Sequence, residues 1–413
     1  MNEREKTLLT PEEQERRHQV AEQRRRKARA ERARKKRRAK KIKLTIGIVF
    51  VTLLTAAAVF IITRYVLPDA GKDARQPKTS PSEEQTSTET TQTPTTAPEP
   101  THDYPELKSK NGTFNTYSSG AIRVDNAAFS VCGTLSDSVT SKYAALVSEV
   151  ADSLNGKTKV YSLIIPTSYG VTLPDDIKPQ IANYADQGEN IAKVFSKMSE
   201  NVTPVYCYDD LMTHRDEYLY FRTDHHWNGK GAYYAYEAFC RTKGIEPYTL
   251  EKREKKEFDG FLGTMYQNNG KDENLLPADT VEAFLPVSAN AAMKFTNTDG
   301  TTYDWPIVKD VSEWSSGAKY NTFAGSDNPI TEFTNPDVAD GSVLIVVKES
   351  FGNALLPYLV DHYSKIYEID YRYWKGNLVS FAEEVGADDL LFANNIMMTS
   401  TSLLVGNLSK IIK

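Results

Sequence analysis

Asp224 and His226 stand two positions apart in the run YFRTDHHWNGKGAYYAYEAF. In a D-x-H loop the carboxylate can accept a hydrogen bond from one ring nitrogen and leave the other for a nucleophile. Ser350 offers that nucleophile, in VLIVVKESFGNALLPYL, where a buried-looking strand runs into an amphipathic helix. A serine there lies near the positive end of the helix and its free backbone N–H groups. The combination is that of acyl transfer through a covalent serine intermediate. Two simpler roles compete for these residues. A serine between strand and helix is commonly a helix N-cap, and Asp224, His225 and His226 could together contact a metal ion. The neighbouring candidates His214, Asp216 and Glu217 lack a helical i, i+4 relation to them, and His362 sits inside an expected helix. Neither a metal nor a cofactor is therefore expected. His226 is the expected base and His225 the fallback, with packing behind the site as its simpler role. Trp227 is expected to wall the site or close the loop.

The elements that must hold these residues alternate along 106–413. Apolar residues at helical spacing cover 137–154, 188–200, 229–243, 351–363, 377–386 and 401–412. Between them, 160–166, 202–208, 341–347, 365–370 and 390–394 read as strands apolar throughout. That rhythm predicts an α/β fold with a parallel sheet covered on both faces. Residues 252–340 break it, being rich in Gly, Asn, Asp and Thr with scattered aromatics (Phe258, Phe261, Tyr266, Tyr303, Trp305, Trp314). They read as an inserted region of loops and hairpins overhanging the C-terminal edge of the sheet, where open α/β folds place ligands. Its aromatics either stack on sugar rings or pack a small β subdomain.

Charge and hydropathy say where this domain works. The 413-residue chain carries 50 Lys and Arg against 55 Asp and Glu, yet residues 1–43 hold 18 against 7. A basic head thus precedes an acidic body. Leu44 to Thr63 contains no charge, and at 1.5 Å per residue it spans roughly 30 Å, the thickness of a hydrocarbon core. With Lys40, Lys41 and Lys43 on its N-terminal side, the positive-inside rule leaves 1–43 in the cytoplasm and sends the chain beyond the anchor (44–67) outside. The competing signal-peptide reading fits worse, since both the basic and the apolar stretch are too long for one. The basic run is read as an anchor on anionic lipid headgroups. Nucleic acid is not an expected partner, because no groove-reading motif accompanies the charge. Residues 68–105 are dominated by Thr, Ser, Pro, Glu and Gln and read as a disordered stalk. Cys132, Cys207 and Cys240 are odd in number, and those at 207 and 240 sit in apolar patterns as buried thiols.

Four segments together, YFRTDHHWNGKGAYYAYEAF, FDGFLGTMYQ, KESFGNALLPYL and EIDYRYW, resemble the DHHW protein family. That family is similar to the SGNH-like O-acetyltransferases that modify alginate and other exopolysaccharides. The resemblance implies a flavodoxin-like α/β/α SGNH fold and a triad falling on Ser350, His226 and Asp224. It gives an oxyanion role to the Phe351 N–H, Gly352 and Asn353, and a substrate or structural contact to Arg372. Asn394 and Asn395 are weaker site candidates. In the relatives Asp or Thr often precedes the serine, whereas here Glu349 does. The implied function is O-acyl transfer, O-acetyl by resemblance, to a cell-surface or exported polysaccharide. A separate membrane-bound O-acyltransferase would supply the acyl groups. A carbohydrate esterase or deacetylase with the same triad, or a non-catalytic wall-binding scaffold on the same fold, are the alternatives.

Overall fold

The computed structural model describes residues 103–412. The expected basic segment, membrane anchor and nearly all of the stalk lie outside the described residues. Among the described residues no helix is long and apolar enough to cross a membrane.

A small antiparallel sheet opens the described chain, with β1 (Asn115–Thr116), β2 (Ile122–Val124) and β3 (Ala127–Phe129). Then come β4 (Lys159–Ile165), β5 (Val202–Val205) and the hairpin β6 (Lys255–Phe261) and β7 (Asp279–Phe284). The chain continues through β8 (Ala292–Thr296), β9 (Thr302–Trp305), β10 (Ile330–Thr334), β11 (Val343–Lys348), β12 (Lys365–Asp370) and β13 (Asp389–Asn395). Eight of these form one central sheet in the order β5-β4-β13-β11-β12-β10-β8-β9. From β5 to β12 the neighbours are parallel. From β12 to β9 they are antiparallel. The inner parallel strands β4, β11 and β13 are buried along almost their whole length, so apolar runs such as Val343–Val347 show no alternation. β10, by contrast, alternates between buried and half-buried positions.

This corrects the expectation for 252–340. Only the β6–β7 hairpin stands apart from the main sheet; β8, β9 and β10 extend it beyond β12. Without them β12 would leave a row of unpaired N–H and C=O groups at an open edge. The molecule is thus a mixed α/β fold around a large central sheet.

The helices fall where the 3.6-residue period places them, at Asp137–Leu154, Gly229–Lys243, Leu378–Val385 and Ser402–Ile412. Gly229–Lys243 shows why its ends are sharp. The Asn228 side chain accepts the Gly231 N–H at 3.0 Å, and Gly244 closes the helix with φ of 78°. The helix expected over 351–363 is broken into a 3-10 turn at Ser350–Ala354, a helical turn at Leu356–Leu359 and another 3-10 turn at Val360–His362. Pro357 has no N–H to continue a helix begun before it, and it sits instead at the start of the middle turn. Cys132, Cys207 and Cys240 are buried and unpaired.

Candidate active site

Parallel register brings three chain segments out of the sheet side by side. Lys348, the last residue of β11, pairs with Asp370 of β12 and with Ala393 of β13. Ser350, Arg372 and Asn395 each lie two residues beyond one of these partners, at the C-terminal edge of the sheet, where an open α/β sheet leaves a crevice. The cap role at this turn belongs to Glu349. Its carboxylate accepts the Phe351 N–H at 3.2 Å through one oxygen. The other oxygen accepts the Asn395 N–H and side-chain amide, both at 2.9 Å. Ser350 is thereby freed from capping, and its half-exposed hydroxyl turns toward the 220s loop.

That loop is pinned at both ends. Tyr220 and Trp227 form an antiparallel bridge, and the Phe221 N–H donates to the His226 carbonyl at 3.2 Å. Fully buried Trp227 donates its ring N–H to the Phe351 carbonyl at 2.8 Å, tying the histidine loop to the serine turn. Trp227 therefore closes the loop and offers no surface to a substrate. Asp224 folds back as the two-residue spacing requires. Its Oδ1 accepts the His226 backbone N–H at 3.0 Å and lies 2.6 Å from His226 Nδ1. His226 Nε2 lies 2.7 Å from Ser350 Oγ. A carboxylate only accepts, so Nδ1 carries the proton and Nε2 presents its lone pair to the hydroxyl.

The second Asp224 oxygen is held by a segment far along the chain. Thr264 donates to Oδ2 through its N–H at 2.7 Å and its hydroxyl at 2.9 Å. A Cβ on the preceding Gly263 would stand 2.3 Å from the Asp224 side chain, so only glycine permits this approach. Burial alone would push the Asp224 carboxyl up. The charge of His226, its hydrogen bond and the Thr264 N–H outweigh that and hold the group well below the usual carboxylate range. The Tyr320 ring lies flat on His226, with centroids 4.0 Å apart and planes 11° apart, while its hydroxyl donates to the Ser350 carbonyl at 3.0 Å. Thr264 and Tyr320 both come from the region read as an insertion. Thr264 had a sequence signal in the FLGT stretch; nothing local marks Tyr320, whose role depends on the turn at Ser316–Thr322.

The remaining candidates divide differently. The Phe351 N–H is engaged with the Glu349 carboxylate and the Gly352 N–H with the Glu349 carbonyl at 2.9 Å, so neither faces an oxyanion as placed. Ser350's own N–H has no hydrogen bond among the described residues and adjoins the reacting oxygen. Asn353 is buried, its side-chain oxygen accepting from Lys348 and its amide donating to Asp327 at 3.2 Å. A Cβ on Gly352 would meet the Lys348 side chain at 2.6 Å, so this glycine lets the turn sit on the lysine. Lys348 is fully buried, 2.7 Å from Glu368, with Asp370 and Asp327 at 3.7 and 3.6 Å. Burial would lower its pKa, but these carboxylates raise it above the ordinary lysine range. Arg372 makes a two-pronged contact with Asp370 and reaches Asp327 at 2.9 Å, which makes it a structural contact. Asn395 orients Glu349, and the Asn394 amide donates to the Tyr143 hydroxyl at 3.3 Å. His225 is half-exposed, with Nδ1 2.6 Å from the Thr264 hydroxyl.

Asp224, His225 and His226 also form the metal-capable group among the described residues, with one ligand atom from each within 4.8 Å of the others. His226 already engages Asp224 and Ser350 through its two ring nitrogens, so a cation bound by His226 would have to break one of these two contacts.

The DHHW protein family model matches residues 106–369. The chain belongs to the DHHW family. A DHHW family protein from Eubacterium siraeum has a similar structure, with 26% identity and a TM-score of 0.63, covering 71% of this chain and 95% of that one. Bacillus cereus PatB1, solved with a sulfonyl adduct, shares the fold at 15% identity and a TM-score of 0.56, covering 71% and 97%. The O-acetyltransferase domain of Pseudomonas putida AlgJ aligns over 71% of this chain and 98% of that one at 13% identity, with a TM-score of 0.39. No curated protein matches this DHHW chain.

Proposed function

We propose that this DHHW protein is a membrane-anchored, extracytoplasmic serine O-acyltransferase that transfers an acyl group, acetyl by family resemblance, to a cell-surface or exported polysaccharide. One observation carries the reading: an unbroken path from the half-exposed Ser350 hydroxyl to His226 at 2.7 Å and on to buried Asp224 at 2.6 Å. Such a path is what a serine needs to become a nucleophile near neutral pH.

In the proposed reaction His226 Nε2 takes the Ser350 proton as Oγ attacks the acyl carbonyl. Asp224, ionised because of its partners, stabilises the imidazolium. The unbonded Ser350 N–H is the backbone donor assigned to the oxyanion. As the intermediate collapses, the imidazolium returns its proton to the leaving oxygen and the acyl group remains on Oγ. A sugar hydroxyl then attacks, His226 takes its proton, and Ser350 leaves as the free hydroxyl. The donor would be a separate membrane-bound O-acyltransferase. With Ser350 partly exposed, water in place of the sugar gives the esterase reading from the same acyl-enzyme.

PatB1 carries a sulfonyl adduct, and the same chemistry tests the nucleophile here. Methanesulfonyl fluoride should add a methanesulfonyl group to Ser350 with loss of fluoride, read by peptide mass spectrometry. 4-Nitrophenyl acetate should give a nitrophenol burst that pretreatment abolishes. Label spread over other serines, or an equal burst from Ser350→Ala, would reject the nucleophile. Acylated oligosaccharide against free acetate then separates transferase from esterase.

A further inference from the structure

His225 takes no part in the proton path just described, yet its orientation is as tightly set as that of His226. The Thr264 hydroxyl has one proton and directs it to Asp224 Oδ2 at 2.9 Å, an acceptor that cannot donate in return. The same oxygen lies 2.6 Å from His225 Nδ1 and must therefore accept from it. His225 is thus fixed as the tautomer with its proton on Nδ1 and a lone pair on Nε2. Neutral imidazole is also its state near neutral pH, since burial, together with the charge of His226, pushes its pKa down to about 4. The two rings lie side by side, with centroids 3.8 Å apart. Both turn Nδ1 to the Asp224 side, at 2.6 Å for His226 and 3.7 Å for His225. Both Nε2 atoms consequently point away from that carboxylate. One meets Ser350; the other has no hydrogen bond among the described residues, on a side chain 35% exposed.

Two neighbouring lone pairs, both on the side away from Asp224, suit two neighbouring hydroxyls. We infer that His225 Nε2 accepts a hydrogen bond from the hydroxyl adjacent to the one being acylated, so that the acceptor is recognised as a vicinal diol on a sugar ring. The inference rests on the acyl-enzyme reading above. In the transfer step the reacting hydroxyl gives its proton to His226 Nε2 while its oxygen forms the new ester bond and the Ser350 ester bond breaks. The adjacent hydroxyl keeps its proton and only donates a hydrogen bond to His225. A lone hydroxyl satisfies one nitrogen; a diol satisfies both.

The test is a competition for one acyl-enzyme. The full chain is charged with 4-nitrophenyl acetate in the presence of equal trans-1,2-cyclohexanediol and cyclohexanol. The ratio of the two acetate esters is read by gas chromatography. Both products come from the same intermediate, so the ratio is independent of acylation rate and of the amount of active protein. Counted per hydroxyl, the wild type should favour the diol by about tenfold, the value of one well-made hydrogen bond. His225→Phe should bring this per-hydroxyl ratio close to unity, and His225→Gln, which keeps a distal acceptor, should recover part of it. A wild type with no diol preference, or a His225→Phe ratio equal to that of the wild type, overturns the inference. A missing burst, or one that survives in Ser350→Ala, overturns the acyl-enzyme reading instead.

Discussion

Two charged clusters flank Ser350, and they use similar residues to opposite ends. On one side Asp224 and His226 hand a chain of hydrogen bonds outward to the Ser350 hydroxyl. On the other, Lys348, Glu368 and Asp370 are fully enclosed beneath the serine turn, and Asp327 and Arg372 close over them at the surface. The first cluster keeps one end open, so a proton can move along it. In the second, buried ions offset one another's charge, so the cluster fixes a position. Buried ion pairs seldom stabilise more than apolar residues would, but removing one partner strands the other. The first cluster should therefore be costly to alter in rate and the second in stability.

The largest effect tests the open side. Ser350→Ala should lower turnover of 4-nitrophenyl acetate by about 10⁴-fold or more with little change in thermal midpoint. Asp224→Asn should lower it by about 10⁴-fold, because the amide no longer dictates the imidazole tautomer. A wild-type rate in either variant would remove the basis of the contrast. On the closed side, Lys348→Met should cost about 3–5 kcal/mol in urea unfolding by leaving Glu368 buried without a cation. An unchanged urea midpoint would show that the lysine is not what balances it. Thr264→Val deletes one hydrogen bond to Asp224 while keeping the shape, and a loss of about tenfold in kcat is expected. An unchanged kcat would confine Thr264 to packing.

The smallest effect is one of pH. Burial, with the charge of His226, lowers His225 to about 4, and burial lowers His362 to about 4 with Arg253 and Lys243 contributing. Both imidazoles are neutral in the fold and take up a proton on unfolding between that value and the ordinary 6.5. Their contribution to stability is complete above about 6.5 and falls as pH is lowered toward 4. The urea midpoint should drop between pH 7 and pH 4.5, and His362→Gln should flatten that drop. Parallel curves for variant and wild type would contradict the assignment.

Much of this was legible in the chain because it is local. A carboxylate two residues before a histidine can reach both its ring and its backbone N–H, and it does. The Gly229–Lys243 helix and β12 are where the apolar spacing puts them. The helix over 351–363 failed because Pro357 interrupts it, although the amphipathic period runs through. Residues 252–340 were misread as wholly inserted because short, half-exposed antiparallel strands such as β8 and β9 have little apolar content of their own and depend on neighbours for pairing. The resemblance gives the Phe351 N–H and Gly352 an oxyanion role, yet Glu349 claims both amides, a fact that depends on how the turn after β11 closes.

The sequence by itself determined which side chains could act and which were bound to meet, since two-residue and helical spacings leave the backbone few choices. It did not determine that 224 and 350 would meet, nor that Thr264 and Tyr320 would brace them. Those contacts join segments separated by dozens of residues. Only the order and register of the strands decide such meetings, because the many pairings open to an unfolded chain are reduced to one when the whole sheet assembles.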